Sequence, residues 1–82
     1  MRIDKYLKVS RIIKRRTVAQ EVCDASRIFI NGKPAKPSKE VKIGDIVTVE
    51  FGNRTLSVRV LSIENTQSKE KAASMYEVIN ED

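Results

Sequence analysis

The chain has 82 residues, of which 40% are hydrophobic and 33% charged, with one cysteine, no histidine and a formal net charge of +5. That length supports one domain with a small core, and the composition is that of a folded chain, not a disordered one. The residue content excludes a zinc site, a histidine-based triad and an internal disulfide, and no apolar run approaches the length of a membrane span.

The positive charge is gathered at the start. Arg2, Lys5, Lys8, Arg11, Lys14, Arg15 and Arg16 oppose only Asp4, so residues 1–16 carry +6 and the rest of the chain carries −1. Such a concentration makes a local field that attracts and orients a polyanion.

In chain order, residues 3–9 read as a short helix with Asp4 as its N-cap. Ile3, Tyr6, Leu7 and Ser10 fall on one face at helical spacing, with Lys5 and Lys8 pointing elsewhere. Residues 10–15 form a connector anchored by Ile12 and Ile13. A second helix is expected over 16–25, with Val18, Ala19, Val22 and Cys23 as its buried stripe. The period then drops to two: Ile28 and Ile30 alternate with Arg27, Phe29 and Asn31. Asn31-Gly32 is a tight-turn signal followed by Pro34. Val41 and Ile43 lead into a turn at Gly44-Asp45. A β-rich run covers 46–51, Gly52-Asn53 is a hairpin turn, and 55–61 is a further strand. A brief helix over 68–74 and a closing strand over 75–79 complete the pattern. The tail, with Glu77, Glu81 and Asp82, is acidic and is expected to fray at its end. The whole is α+β, with two short N-terminal helices packed on a small twisted, mainly antiparallel sheet.

These elements carry a resemblance. Arg2-Ile3-Asp4-Lys5-Tyr6-Leu7, Arg11, Arg16-Thr17-Val18-Ala19, Arg27-Ile28-Phe29-Ile30-Asn31-Gly32, Lys36, Ser38 and Gly44-Asp45 together resemble the RNA-binding domain first described in small-subunit ribosomal protein S4. The same module occurs in pseudouridine synthases, tyrosyl-tRNA synthetases and heat-shock protein fifteen. The likeness covers about residues 2–51, which are expected to form the RNA-binding core. Residues 52–82 are expected to add strands, a short helix and the acidic tail to one domain spanning 1–82. Within the family the chain is most similar to small freestanding bacterial members that act in ribosome-associated quality control.

The resemblance implies a non-catalytic, cytoplasmic, monomeric RNA-binding factor that needs no cofactor and no membrane. Its implied partners are large-subunit rRNA, a peptidyl-tRNA held on an obstructed large subunit, and a factor that recruits alanyl-tRNA for C-terminal alanine tailing. The alternatives are a general rRNA-binding or heat-shock-type ribosome factor, a protein-interaction module whose basic face docks an acidic partner, and a DNA-binding protein using the second helix.

Arg16 leads the candidate contacts. It stands where a helix is expected to start, and there free amides and the dipole already favour an anion. Its guanidinium can grip a phosphate with two parallel hydrogen bonds. Arg2 is expected to reach across the start of the first helix, either to RNA or to Asp4 as a surface ion pair. Lys5, Arg11, Lys14 and Arg15 suit backbone contacts that position RNA without reading its sequence. Thr17 and Gln20 could bond sugar or phosphate. Lys33, Lys36, Ser38, Lys39 and Lys42 form a second basic element beside the Asn31-Gly32 turn. Tyr6 belongs to the core by its spacing, Phe29 is out of phase with its apolar neighbours, and Phe51 and Tyr76 are the remaining aromatics. Four scattered rings make no stacking platform, so shape and charge are expected to dominate recognition.

Overall fold

Period-two alternation in the middle of the chain builds one sheet, and the helical stripe near the start covers it. A computed structural model describes residues 1–13, 27–51, 54–64 and 68–81. Helix α1 spans Ile3–Val9, and strands β1 to β4 span Ile28–Ile30, Lys33–Pro34, Ile46–Phe51 and Arg54–Val60. Helix α2 spans Lys69–Ala73 and strand β5 Tyr76–Glu81. The expected helix over 16–25, with its stripe of Val18, Ala19, Val22 and Cys23, lies outside the described residues, as does the Gly52-Asn53 turn.

The five strands form one sheet in the order β2-β1-β3-β4-β5, with every adjacent pair antiparallel. Register follows the hydrophobic pattern, because a slip of one residue would turn every side chain to the other face. Ile28 lies opposite Val49 and Val49 opposite Leu56. Ile30, Val47, Val58 and Val78 make a second row across four strands. Between them, on the opposite face, runs a row of Phe29, Thr48, Ser57 and Asn80. Thr48 and Ser57 share a hydroxyl hydrogen bond of 3.0 Å across β3 and β4. Phe29 is half-buried on this face, not fully exposed.

α1 lays Ile3, Tyr6 and Leu7, all fully buried, in one core with Ile28, Val47, Val49, Val58 and Val60. Ser10 is buried on the same stripe and gives its hydroxyl to the Leu7 carbonyl. Each such apolar side chain contributes about 1.5–3 kcal/mol by leaving water. Ile13 is a buried anchor and Ile12 a half-buried one. Tyr6 spans the core, and its hydroxyl donates to the Met75 carbonyl at 2.8 Å. The same carbonyl accepts the Leu61 and Ser62 amides. Burial, and secondarily the neighbouring Tyr76, push the Tyr6 phenol well above its ordinary range.

Two expectations are corrected. Asp4 is not the cap of α1: Arg2 occupies that position without a side-chain cap hydrogen bond, and Asp4 lies buried within the first turn. The Ile3 and Asp4 amides are taken by the carbonyls of Lys39 and Pro37, at 2.7 and 3.3 Å, and Asp4 Oδ1 accepts the next amide, that of Lys5, at 2.8 Å. The end of the acidic tail, Asp82, where fraying is expected, lies outside the described residues, and Glu77 and Glu81 precede it in the sheet. Both lie in β5, paired with Arg59 and Leu56 of β4. Pairing along β4 extends the last strand two residues beyond the expected end, past a bulge where Ser57 faces Asn80 and Val58 faces Val78. Ile43, two residues after the buried Val41, is 65% exposed, because the turn at Gly44 breaks the alternation.

Tyr6→Phe keeps the packing and removes the hydroxyl. It should lower stability by about 1 kcal/mol in urea unfolding, because the Met75 carbonyl retains other donors. Tyr6 is protonated in the fold at a pH where the unfolded phenol ionises. Its stabilisation is therefore complete below its ordinary value near 10 and is lost as pH rises above it. The wild-type unfolding midpoint should fall with alkali above that point, and Tyr6→Phe should flatten the fall.

Candidate nucleic-acid interface

Three backbone hydrogen bonds bring the two basic stretches together. The Ile3 and Asp4 amides reach the carbonyls of Lys39 and Pro37, and the Val41 amide reaches the Met1 carbonyl at 3.0 Å. Arg2 and Glu40 face each other across an antiparallel bridge. The start of α1 is thereby fixed against the loop that carries Lys36, Ser38 and Lys39.

That loop and the Asn31-Gly32 turn enclose a concavity of about 820 Å³. Lys33, Lys36, Ser38, Lys39 and Lys42 line it, and all five are exposed. The turn is built by left-handed backbone at two successive residues, Asn31 with φ 53° and Gly32 with φ 83°. Asparagine and glycine suit this conformation, and it matches the twist of the flanking strands. The Asn31 amide group donates to Asp45 Oδ1 at 3.1 Å, and its oxygen accepts the Ile46 amide at 2.9 Å. Asp45 Oδ2 accepts the Lys42 amide at 2.9 Å. Asn31 and Asp45 therefore pin the turn bearing Lys33 to the segment bearing Lys42. Neither was a sequence candidate for the site. The signals available for them were the Asn31-Gly32 and Gly44-Asp45 pairs, which mark turns but do not say that the turns meet.

Arg2 is half exposed, with Nη2 3.2 Å from Oδ2 of the buried Asp4. The ion-pair geometry is thus present, while about half of the Arg2 side chain is exposed. Glu40, which lines the concavity with Asp45, accepts from the α-amino group of Met1 at 2.8 Å. That hydrogen bond, then the charge of the same ammonium and of Arg2, hold the Glu40 carboxyl below the usual carboxylate range. Lys5 and Lys8 are exposed on the outer side of α1.

Arg11 sits at the other end of α1, about 10 Å of helix from Arg2. It is exposed and adopts left-handed backbone, with φ 63°. Its amide closes the helix on the Lys8 carbonyl at 3.0 Å, and the Ile13 amide returns to that of Leu7. Helices usually place glycine at this position. Lys14, Arg15, Arg16, Thr17 and Gln20 lie outside the described residues. The structure therefore brings Arg2 together with Lys33, Lys36, Ser38, Lys39 and Lys42, and sets Arg11 apart from them. Tyr6 is wholly buried and offers no ring to a base. The described residues contain no cluster of metal-ligating side chains, and none of their helices is long and apolar enough to cross a membrane.

Comparison with known proteins agrees with this geometry. Residues 1–47 match the S4 domain family. The chain is 58% identical over 81 residues to the RQC P-site tRNA stabilizing factor of Streptococcus pneumoniae, covering 99% of this chain and 92% of that protein. It is 54% identical over 82 residues to the factor of the same name from Bacillus subtilis, covering 100% and 95%. Among solved structures, heat shock protein 15 of Vibrio cholerae, described as trimeric, superposes with a TM-score of 0.86 at 29% identity, covering 95% of this chain and 80% of that one. The fold, the order of its elements and the identity to these relatives agree: the chain belongs to the S4-domain family of RQC P-site tRNA stabilizing factors.

Proposed function

We propose that this chain is a non-catalytic, cytoplasmic RNA-binding factor of bacterial ribosome-associated quality control. In this reading it binds large-subunit rRNA and peptidyl-tRNA on obstructed large subunits, and steadies the tRNA in the P site. A partner that recruits alanyl-tRNA then extends the nascent chain with alanine. The observation that carries the reading is the latch between the start of α1 and residues 37–41, which joins Arg2 to the lysine-lined concavity. The relatives' shared name supplies the P-site tRNA.

The contacts are assigned to Arg2, Lys5, Arg11, Lys33, Lys36, Ser38 and Lys39. Lys14, Arg15, Arg16, Thr17 and Gln20 join them on the strength of the family resemblance and the charge of their segment. A factor with one cationic surface can touch two anionic partners at once, and each then raises the effective concentration of the other. Nothing in the set needs a chemical step. The chain contains no histidine, and the proposed contacts are cations and hydroxyls suited to phosphate. The factor acts as a monomer in this reading.

Co-sedimentation tests the P-site role. The protein should pellet with large subunits that carry peptidyl-tRNA, and less with vacant subunits or intact ribosomes. Equal recovery with all three would refute the assignment. If about six phosphates are neutralised, affinity should fall with salt at a log–log slope near −4, taking ~0.7 per contact. Arg16→Ala should weaken binding with little loss of fold stability, and normal binding by this variant would show the anchor to be misassigned.

Arg11 separates fold from function. Left-handed backbone costs an ordinary residue about 1–2 kcal/mol, and glycine removes that cost while gaining freedom in the unfolded chain. Arg11→Gly should therefore leave stability unchanged or raise it by up to about 1 kcal/mol in urea unfolding. It should also weaken rRNA binding and reduce the salt slope by about 0.7. Unaltered binding would remove Arg11 from the interface.

A further inference from the structure

The two edges of the sheet differ sharply. β2, at one edge, is two residues long and consists of Lys33 and Pro34. Short length, lysine and proline are the usual means of stopping a sheet from pairing with another chain. β5, at the other edge, runs six residues from Tyr76 to Glu81 and contains neither lysine nor proline. Its blunting devices are the bulge opposite Ser57 and Val58 and the charges of Glu77 and Glu81. Val78 and Ile79, beside that bulge, are 49% and 46% exposed. An edge strand with open backbone groups and exposed apolar side chains is a template for an added strand.

Charge selects the occupant. After Lys71 the sequence contains Glu77, Glu81 and Asp82 and no Lys or Arg. Glu77 shares an ion pair with Arg59 at 3.1 Å, yet both side chains stay about half exposed. RNA is disfavoured at this edge by repulsion. A second copy pairing β5 antiparallel with β5 about Ile79 would set the position of Glu77 opposite that of Glu81, and like charges across strands are destabilising. We propose that the outer edge of β5 docks an extended, basic segment of a partner protein, with main-chain hydrogen bonds supplying the pairing and apolar residues of the segment covering Val78 and Ile79. The molecule then has two faces of opposite preference, cationic at α1 and residues 33–42, and anionic at β5.

The test uses the full chain, isotope-labelled, with amide exchange followed by NMR. The probe is a capped peptide alternating lysine and valine, and the control alternates glutamate and valine. Saturating lysine peptide should slow exchange in Tyr76–Glu81 by about tenfold or more, leaving α1 and residues 33–42 unaffected. Ile79→Lys should abolish that protection while rRNA binding is retained, and the spectrum outside β5 reports whether this variant folds. Val78→Thr, nearly isosteric, should weaken it several-fold and serves if the lysine variant does not fold. Equal protection by the glutamate peptide would overturn the proposal. So would protection at Lys33 instead of β5, or protection that rises with protein concentration alone. Because the readouts lie on different edges, loss of rRNA binding with intact peptide protection would count against the proposed function and not against this one.

Discussion

The first two amides of α1 are satisfied by carbonyls from a loop more than thirty residues away in sequence. Every helix starts with amides that have no partner inside it, and a side chain at the N-cap usually meets one of them. Here the cap residue is Arg2, whose side chain makes no such bond, and Lys39 and Pro37 supply the acceptors. The start of the helix is therefore complete only when the loop is docked. The cationic side chains on the two segments inherit their relative position from main-chain geometry, so the side chains themselves remain available for other work.

The acidic residues near this surface are engaged internally. Asp4 faces Arg2, Glu40 faces the α-amino group of Met1, and Asp45 holds Asn31 and the Lys42 amide. Each carboxylate acts on scaffold or on a neighbouring cation. Lys33, Lys36, Lys39 and Lys42 project from a frame that these contacts keep in shape. Such an arrangement gives a field with a fixed outline, which suits recognition of a backbone by shape and charge.

Much of the fold was legible because the hydrophobic period changes where the structure changes. Ile3, Tyr6, Leu7 and Ser10 mark the buried face of α1, and Ile28 and Ile30 mark the inner face of β1. Ser68 caps the short second helix where the pattern places its start. Asp4 misled because a carboxylate near a helix start usually caps it, and no local signal announces that a remote carbonyl has taken the role. The last strand was read too short because pairing with β4, a tertiary effect, outweighs the poor strand preference of Asn80 and Glu81. The cations of the interface were legible as charge. The joining of Arg2 to residues 36–40 was not, since it rests on backbone atoms that every sequence possesses.

The resemblance to the S4 domain stops at residue 47, but the contacts do not. Tyr6, at the centre of the helix that bears the basic residues, rests its hydroxyl on Met75, and Val47 and Val49 lie against Val58 and Leu56. A fragment cut at the end of the shared module would sever β3 after Val47, remove β4 and β5, and leave the Tyr6 phenol without its acceptor. The portion matched by the S4 domain is thus smaller than the portion that packs as one core. Transplanting this module into another protein would require bringing along the later strands, or replacing them with something that fills the same space.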